Sequence, residues 1–140
     1  SQSLQLVPGS TSIYTSANDP GLIYDTLAVA PESLNLFASE WSKVFQVWYR
    51  IVDFIENPDT QAEAIEIMAA RVGVAPEKYA ELMQGTRFLA EDEARLRLVP
   101  TDGLDSLQGS TDVADAFNVK YRVYSEAQPT SDYISDRLYQ

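Results

Sequence analysis

Apolar and polar residues alternate from Leu22 to Ala30, so that Ile23, Asp25, Leu27 and Val29 share one face and Leu22, Tyr24, Thr26 and Ala28 the other. A period of two predicts a β-strand. Asp25 then stands in line with three aliphatic side chains, and burying its carboxylate would require a hydrogen-bonding or cationic partner. Upstream, Leu4 to Val7 reads as a short strand stopped by Pro8-Gly9, and Ser10 to Thr15 favours extended chain. Between the two runs, Asn18-Asp19-Pro20-Gly21 is a turn signal: proline fixes φ and glycine permits positive φ.

After Pro31 the period changes to that of a helix. Phe37, Trp41, Val44, Phe45, Trp48, Val52 and Ile55 recur three and four apart, predicting one long helix over 33–56 with both tryptophans in the core. Asn57-Pro58 reads as a cap and first-turn proline, and Thr60 with Glu63 as a capping box. Ala64, Ile67, Met68 and Val72 give the next helix a narrow apolar face, ended by Gly73. Ala75-Pro76 opens a third, with Tyr79, Leu82 and Met83 inward and Gly85 as its stop. A fourth runs from about Ala90 to Leu98, its Glu91, Asp92 and Glu93 complementing the helix dipole. Ser110-Thr111-Asp112 is expected to cap a helix carrying Val113, Ala116 and Phe117; Val119, Tyr121 and Val123 then alternate briefly. A last helical turn begins at Ser131 or Asp132, with Ile134 and Leu138 four apart.

Composition narrows the chemistry. A chain of 140 residues is long enough for one ordinary domain with a core. Its formal charge of -11 argues against nucleic-acid binding, which needs a basic footprint, and against docking on anionic lipid. Cysteine and histidine are both absent, which removes thiol nucleophiles, His-based triads and Cys-type metal sites. Carboxylate, hydroxyl, Lys and Tyr groups remain. No apolar run approaches the roughly 20 residues of a membrane span. The start at Ser1-Gln2-Ser3, with no methionine or leader, reads as a mature or excised piece of something longer.

No phosphate-binding glycine loop, metal-ligand spacing or nucleophile elbow stands out, so catalysis and a cofactor are not expected. The polar loop from Ser10 to Asp25 is the candidate recognition element. Hydroxyls, amides and backbone N–H groups near strand ends hold small polar ligands in clefts. A plain hairpin with Asx-type turns accounts for the same residues.

Thr15-Ser16-Ala17-Asn18-Asp19-Pro20-Gly21-Leu22-Ile23-Tyr24-Asp25-Thr26-Leu27-Ala28-Val29 resembles a segment of ABC-transporter substrate-binding proteins of the nitrate, sulfonate, taurine and thiamine-precursor group. There the chain leaves the second lobe and crosses the hinge towards the first. Trp41 to Asn57-Pro58, Ala62 to Ala69, Arg71 to Tyr79, Phe117 and the stretch from Gln128-Pro129 to Tyr139 are similar in order and spacing. The resemblance implies an α/β, periplasmic-binding-protein-like (type II) fold. This chain would be a mostly helical C-terminal portion with a few short strands: residues 1–31 cross from binding lobe to hinge, and 32–140 form the helical region of one domain.

It also implies a periplasmic or lipid-anchored solute-binding component of an ABC importer, with no catalysis and no cofactor. Its partners would be a small polar or anionic ligand, the membrane permease and an N-terminal lobe missing from this chain; a dimer of the piece is a further way to cover its strand edges. Cleft-lining positions carried over by the resemblance are Thr15, Ser16 and Asn18, with Ser16 and Asn18 as donors to an oxyanion or polar group. Asp25 would either pair with a ligand amine or hold the hinge. The rival readings are a regulatory or sensory interaction domain on the same fold, and a pyrimidine-precursor enzyme, which would want His or Cys.

Overall fold

Pro31 and Pro76 each sit at the first turn of a helix, where the missing N–H costs nothing and the fixed φ is already helical. The computed structural model, which describes residues 6–139, contains α1 (Pro31–Leu36), α2 (Ala38–Glu56), α3 (Gln61–Val72), α4 (Pro76–Met83), α5 (Glu91–Arg97) and α6 (Leu107–Lys120). Short 3-10 turns lie at Ser16–Asn18, Gly103–Asp105, Thr130–Asp132 and Arg137–Tyr139.

The expected α/β, periplasmic-binding-protein-like (type II) fold is overturned. Among the described residues there is no strand and no sheet. A strand exists only if a neighbour takes its N–H and C=O groups, and here no second extended segment lies beside residues 22–30. The predicted strand is absent: Leu22 sits in a bend with its N–H on the Asp19 carbonyl at 3.1 Å, and from Ile23 to Val29 the run is a single unpaired length of chain among the described residues. Of the strand expected over Leu4 to Val7, Leu4 and Gln5 lie outside the described residues, while Leu6 is helical and Val7 sits in a bend. The run around Val119, Tyr121 and Val123 forms no strand either: Val119 belongs to α6 and Tyr121 is its C-cap.

The long helix predicted over 33–56 is divided. Phe37 (φ -126°, ψ 36°) leaves the helical region between α1 and α2, and the Trp41 Nε1 donates to the Ser33 Oγ across the break at 3.0 Å. The end of α2 is closed by side chains from the following turn. Thr60 Oγ1 donates to the Phe54 carbonyl at 2.7 Å and Gln61 Nε2 to the Ile55 carbonyl at 3.3 Å, satisfying orphan acceptors. Asn57 is the C-cap and its Oδ1 accepts from the Asp59 N–H at 2.9 Å. Thr60 is thereby occupied, and the expected capping box with Glu63 does not form. Gly73 ends α3 at φ 74°, the left-handed cap expected of it.

Among the described residues the buried apolar side chains are Tyr49, Val52 and Ile55 of α2 with Ala64 and Ala69 of α3. Trp48 is 48% exposed and meets Phe88 only at a 6.4 Å ring separation, so it is not the core residue its spacing suggested. Trp41 is half-buried. Phe45 and Tyr49 pack edge to face on each other and around Tyr139, docking the C-terminal turn on α2.

Around α6 a second packing unit forms. Its cap is Ser106, four residues before the expected Ser110. The Ser106 Oγ accepts from the Gly109 N–H at 3.0 Å and from the Thr101 N–H at 3.1 Å, and donates to the Thr101 carbonyl at 2.9 Å. Gly109 is required by contact: a Cβ there would overlap the Thr101 and Gly103 carbonyls. Helix α5 ties the two units together, Arg95 reaching the Tyr139 carbonyl and Arg97 Nη1 the Asp105 carbonyl at 2.8 Å.

Candidate functional site

The loop that the sequence nominates folds on itself. Thr15 caps the 3-10 turn Ser16–Asn18: its N–H donates to the Asn18 Oδ1 at 3.0 Å and its Oγ1 to the same atom at 3.4 Å. Tyr14 donates its hydroxyl to the Asp19 Oδ2 at 2.5 Å, and that bond holds the phenol pKa above its ordinary value. Thr15, Ser16 and Asn18 therefore do come together, but as a solvent-exposed turn in which Thr15 and Asn18 satisfy each other. Asp25 does not join them. It is exposed on the extended run, so no aliphatic burial forces a partner upon it.

Further along, the extended run is pinned. Leu22 lies against Ser110, Val113, Ala114 and Phe117 of α6, lining an apolar groove of about 270 Å³. The Tyr24 hydroxyl donates to the Leu104 carbonyl at 3.3 Å. Gly21, at φ 90°, passes so close that a Cβ would overlap that carbonyl. From Ile23 to Val29 neither N–H nor C=O groups make a hydrogen bond among the described residues, and no turn or bend interrupts the chain. The next anchor is α1, whose Leu34 N–H reaches back to the Ala30 carbonyl at 3.0 Å.

A second polar cluster was missed by sequence reasoning. Asp115 of α6 is buried, accepting from the Tyr124 hydroxyl and, at 3.3 Å, from the Gln128 N–H. Tyr124 also accepts from the Asn118 amide at 3.3 Å. The bond to Asp115 pushes the Tyr124 phenol up; burial and then the same carboxylate push Tyr133 up. With Ser125 and Glu126 these residues line a shallow cleft of about 420 Å³. Periodicity gave no sign of it, because the apolar residues that mark this helix in the sequence include Val113 and Phe117 and say nothing of Asp115. Val113 and Phe117 stand 46% and 58% exposed, while Ser110 and Asp115 are buried.

The arrangement leaves large apolar surfaces open. The chain presents 10809 Å², about half as much again as the ~7,300 Å² expected of a compact protein of this mass. Ile23, Leu27, Val44, Val47, Trp48, Ile67, Leu96, Val113 and Phe117 all contribute. Among the described residues no group of three or more acidic side chains is placed to hold a metal ion, and no helix is long and apolar enough to cross a membrane. No protein-family model, curated protein or solved structure matches this chain.

Proposed function

We propose that this chain is one of two bodies that together make the solute-binding component of an ABC importer, holding a small polar or anionic nutrient such as nitrate, a sulfonate, taurine or a thiamine precursor. The observation that carries the reading is the surplus of exposed surface. Apolar faces on α2, α3, α5 and α6 and an unpaired extended run are uncovered together, as in a unit whose counterpart is a separate body. Helix boundaries support the family resemblance: α2 stops at Asn57-Pro58, α3 spans Ala62 to Ala69 and ends at Gly73, and Pro76 opens α4. The second body would complete the ligand site beside Ser16 and Asn18, and the pair would dock on a membrane permease from the extracytoplasmic side.

A regulatory or sensory interaction module is the second reading. It draws on the mutual satisfaction of Thr15 and Asn18, which leaves these groups with less to offer a ligand. Thermal-shift measurement separates the two, using the whole native gene product against nitrate, bicarbonate, taurine, alkylsulfonates and thiamine precursors. A true ligand at a hundred times its Kd adds about 2.7 kcal/mol of stability. A flat response across the panel overturns the solute-receptor reading and leaves the interaction module.

A further inference from the structure

Asp115 of α6 is only 9% exposed, and its hydrogen-bonding partners are neutral. The Tyr124 hydroxyl and the Gln128 N–H donate to its two oxygens, while no Lys or Arg forms an ion pair with it among the described residues. A buried charge is costly without a counter-charge. An ionised carboxylate also accepts about four hydrogen bonds, so Asp115 keeps acceptor capacity. It borders a cleft of about 420 Å³ shared with Tyr124, Glu126 and Tyr133, within the roughly 300–1,000 Å³ of small-molecule sites. Asn118, one turn along α6, donates to the Tyr124 oxygen at 3.3 Å and so leaves the phenol proton to Asp115. The field in the cleft has one sign. Burial first, then Asp115, Tyr124, Asp112 and Asp132, hold the Tyr133 phenol above its ordinary value. Glu126 adds another carboxylate, and none of these acids is in an ion pair among the described residues.

We propose that this cleft binds the ammonium group of a small organic amine, with Asp115 as its counter-ion, Glu126 at the rim and the Tyr124 and Tyr133 rings as its walls. An ammonium supplies what the cleft lacks: positive charge for Asp115 and N–H donors for its remaining lone pairs. Aromatic faces add to the attraction, since a cation within about 6 Å of a tyrosine ring is drawn to it. A small anion would meet only carboxylates and phenols. A metal ion is not matched, because among the described residues no three acidic side chains are placed to hold one. Asp115 also tethers the chain after α6, but tethering needs only an acceptor, which an amide oxygen would provide. The charge is surplus to it. The cleft shares no residue with the turn at Thr15, Ser16 and Asn18, and the proposal does not rest on the solute-receptor reading.

Binding calorimetry on the whole native gene product tests this, with benzylamine and agmatine as probes and benzoate as the control at fixed ionic strength. At least one amine should bind at a single saturable site with a Kd below about 1 mM, and benzoate should not bind. Asp115→Asn, which keeps the acceptor and removes the charge, should weaken amine binding at least about tenfold. Glu126→Gln at the exposed rim should weaken it about threefold. That rim variant decides the matter should Asp115→Asn lose the fold. No saturable amine binding, equal binding of benzoate, or an amine affinity unmoved by both variants overturns the proposal. A flat response to nitrate, taurine and the alkylsulfonates overturns the receptor reading alone. Absent amine binding with those responses intact overturns this proposal alone.

Discussion

The hydroxyls of Tyr49 and Tyr139 lie 2.5 Å apart across 90 residues of sequence, joining the middle of α2 to the last described turn. Phe45 packs edge-on against both rings, and Arg95 lies over the Tyr139 ring, its carbon 5.1 Å from the centroid. This cluster is where the C-terminal turn is secured, and it makes stability depend on pH at the alkaline end.

Burial first, then the bond to Tyr139, push the Tyr49 phenol well above its ordinary value, with Arg95 opposing. The folded state therefore keeps a proton that the unfolded state releases near pH 10. Stability from this group is intact below about pH 10 and is lost as pH climbs from there through the raised folded value. Melting temperature measured against pH should be flat through neutrality and fall above about 10. Tyr49→Phe should lose about 1 kcal/mol at neutral pH and show a shallower alkaline decline.

Val52 is 1% exposed at the centre of a small core. Val52→Ala removes buried carbon and leaves a cavity, costing about 2 kcal/mol. Urea unfolding should show a lower midpoint with an unchanged slope. Trp48→Ala, at a half-exposed position, should cost less despite the larger side chain removed.

Ser106→Ala takes away the α6 cap and both links to Thr101 at once. The expected loss is about 1–2 kcal/mol, read by thermal unfolding. Ser110→Ala, at the position that the sequence pattern favoured as a cap, should be milder, since Ser110 is not the N-cap.

Asp115→Ala strips the Tyr124 hydroxyl and the Gln128 N–H of their shared acceptor. The segment after α6 should loosen before the rest of the chain, giving faster proteolytic cleavage between 121 and 130. Asp115→Asn, which keeps an acceptor, should restore most of the resistance.

Helix ends were legible in the sequence because their signals are local. Pro76, Gly73, the acids that open α5 and the stop at Asn57 act through their own φ angles and neighbouring N–H and C=O groups, and they acted as read, whereas Pro31, expected only to end the run before it, also opens α1. Alternation from Leu22 to Ala30 predicted a strand, and neither strand nor sheet formed among the described residues, because pairing belongs to whatever lies alongside. The same holds for the faces. Helical spacing put Trp48 inside along with Val52 and Ile55, whereas α2 turned Tyr49, Val52 and Ile55 to the core and left Trp48 half-exposed, and α6 turned Ser110 and Asp115 inward against the turns at 103–105 and 130–132. Ser106 displaced Ser110 as the cap because the Thr101 backbone folds back onto its hydroxyl. The sequence by itself determined those helix ends whose signals are local, at Asn57, Gly73 and Pro76, but neither the break at Phe37 nor the start of α6 at Ser106. Only tertiary packing decided which side of each helix is buried and whether an extended run has a neighbour, since both depend on the opposing surface and not on the segment's own pattern.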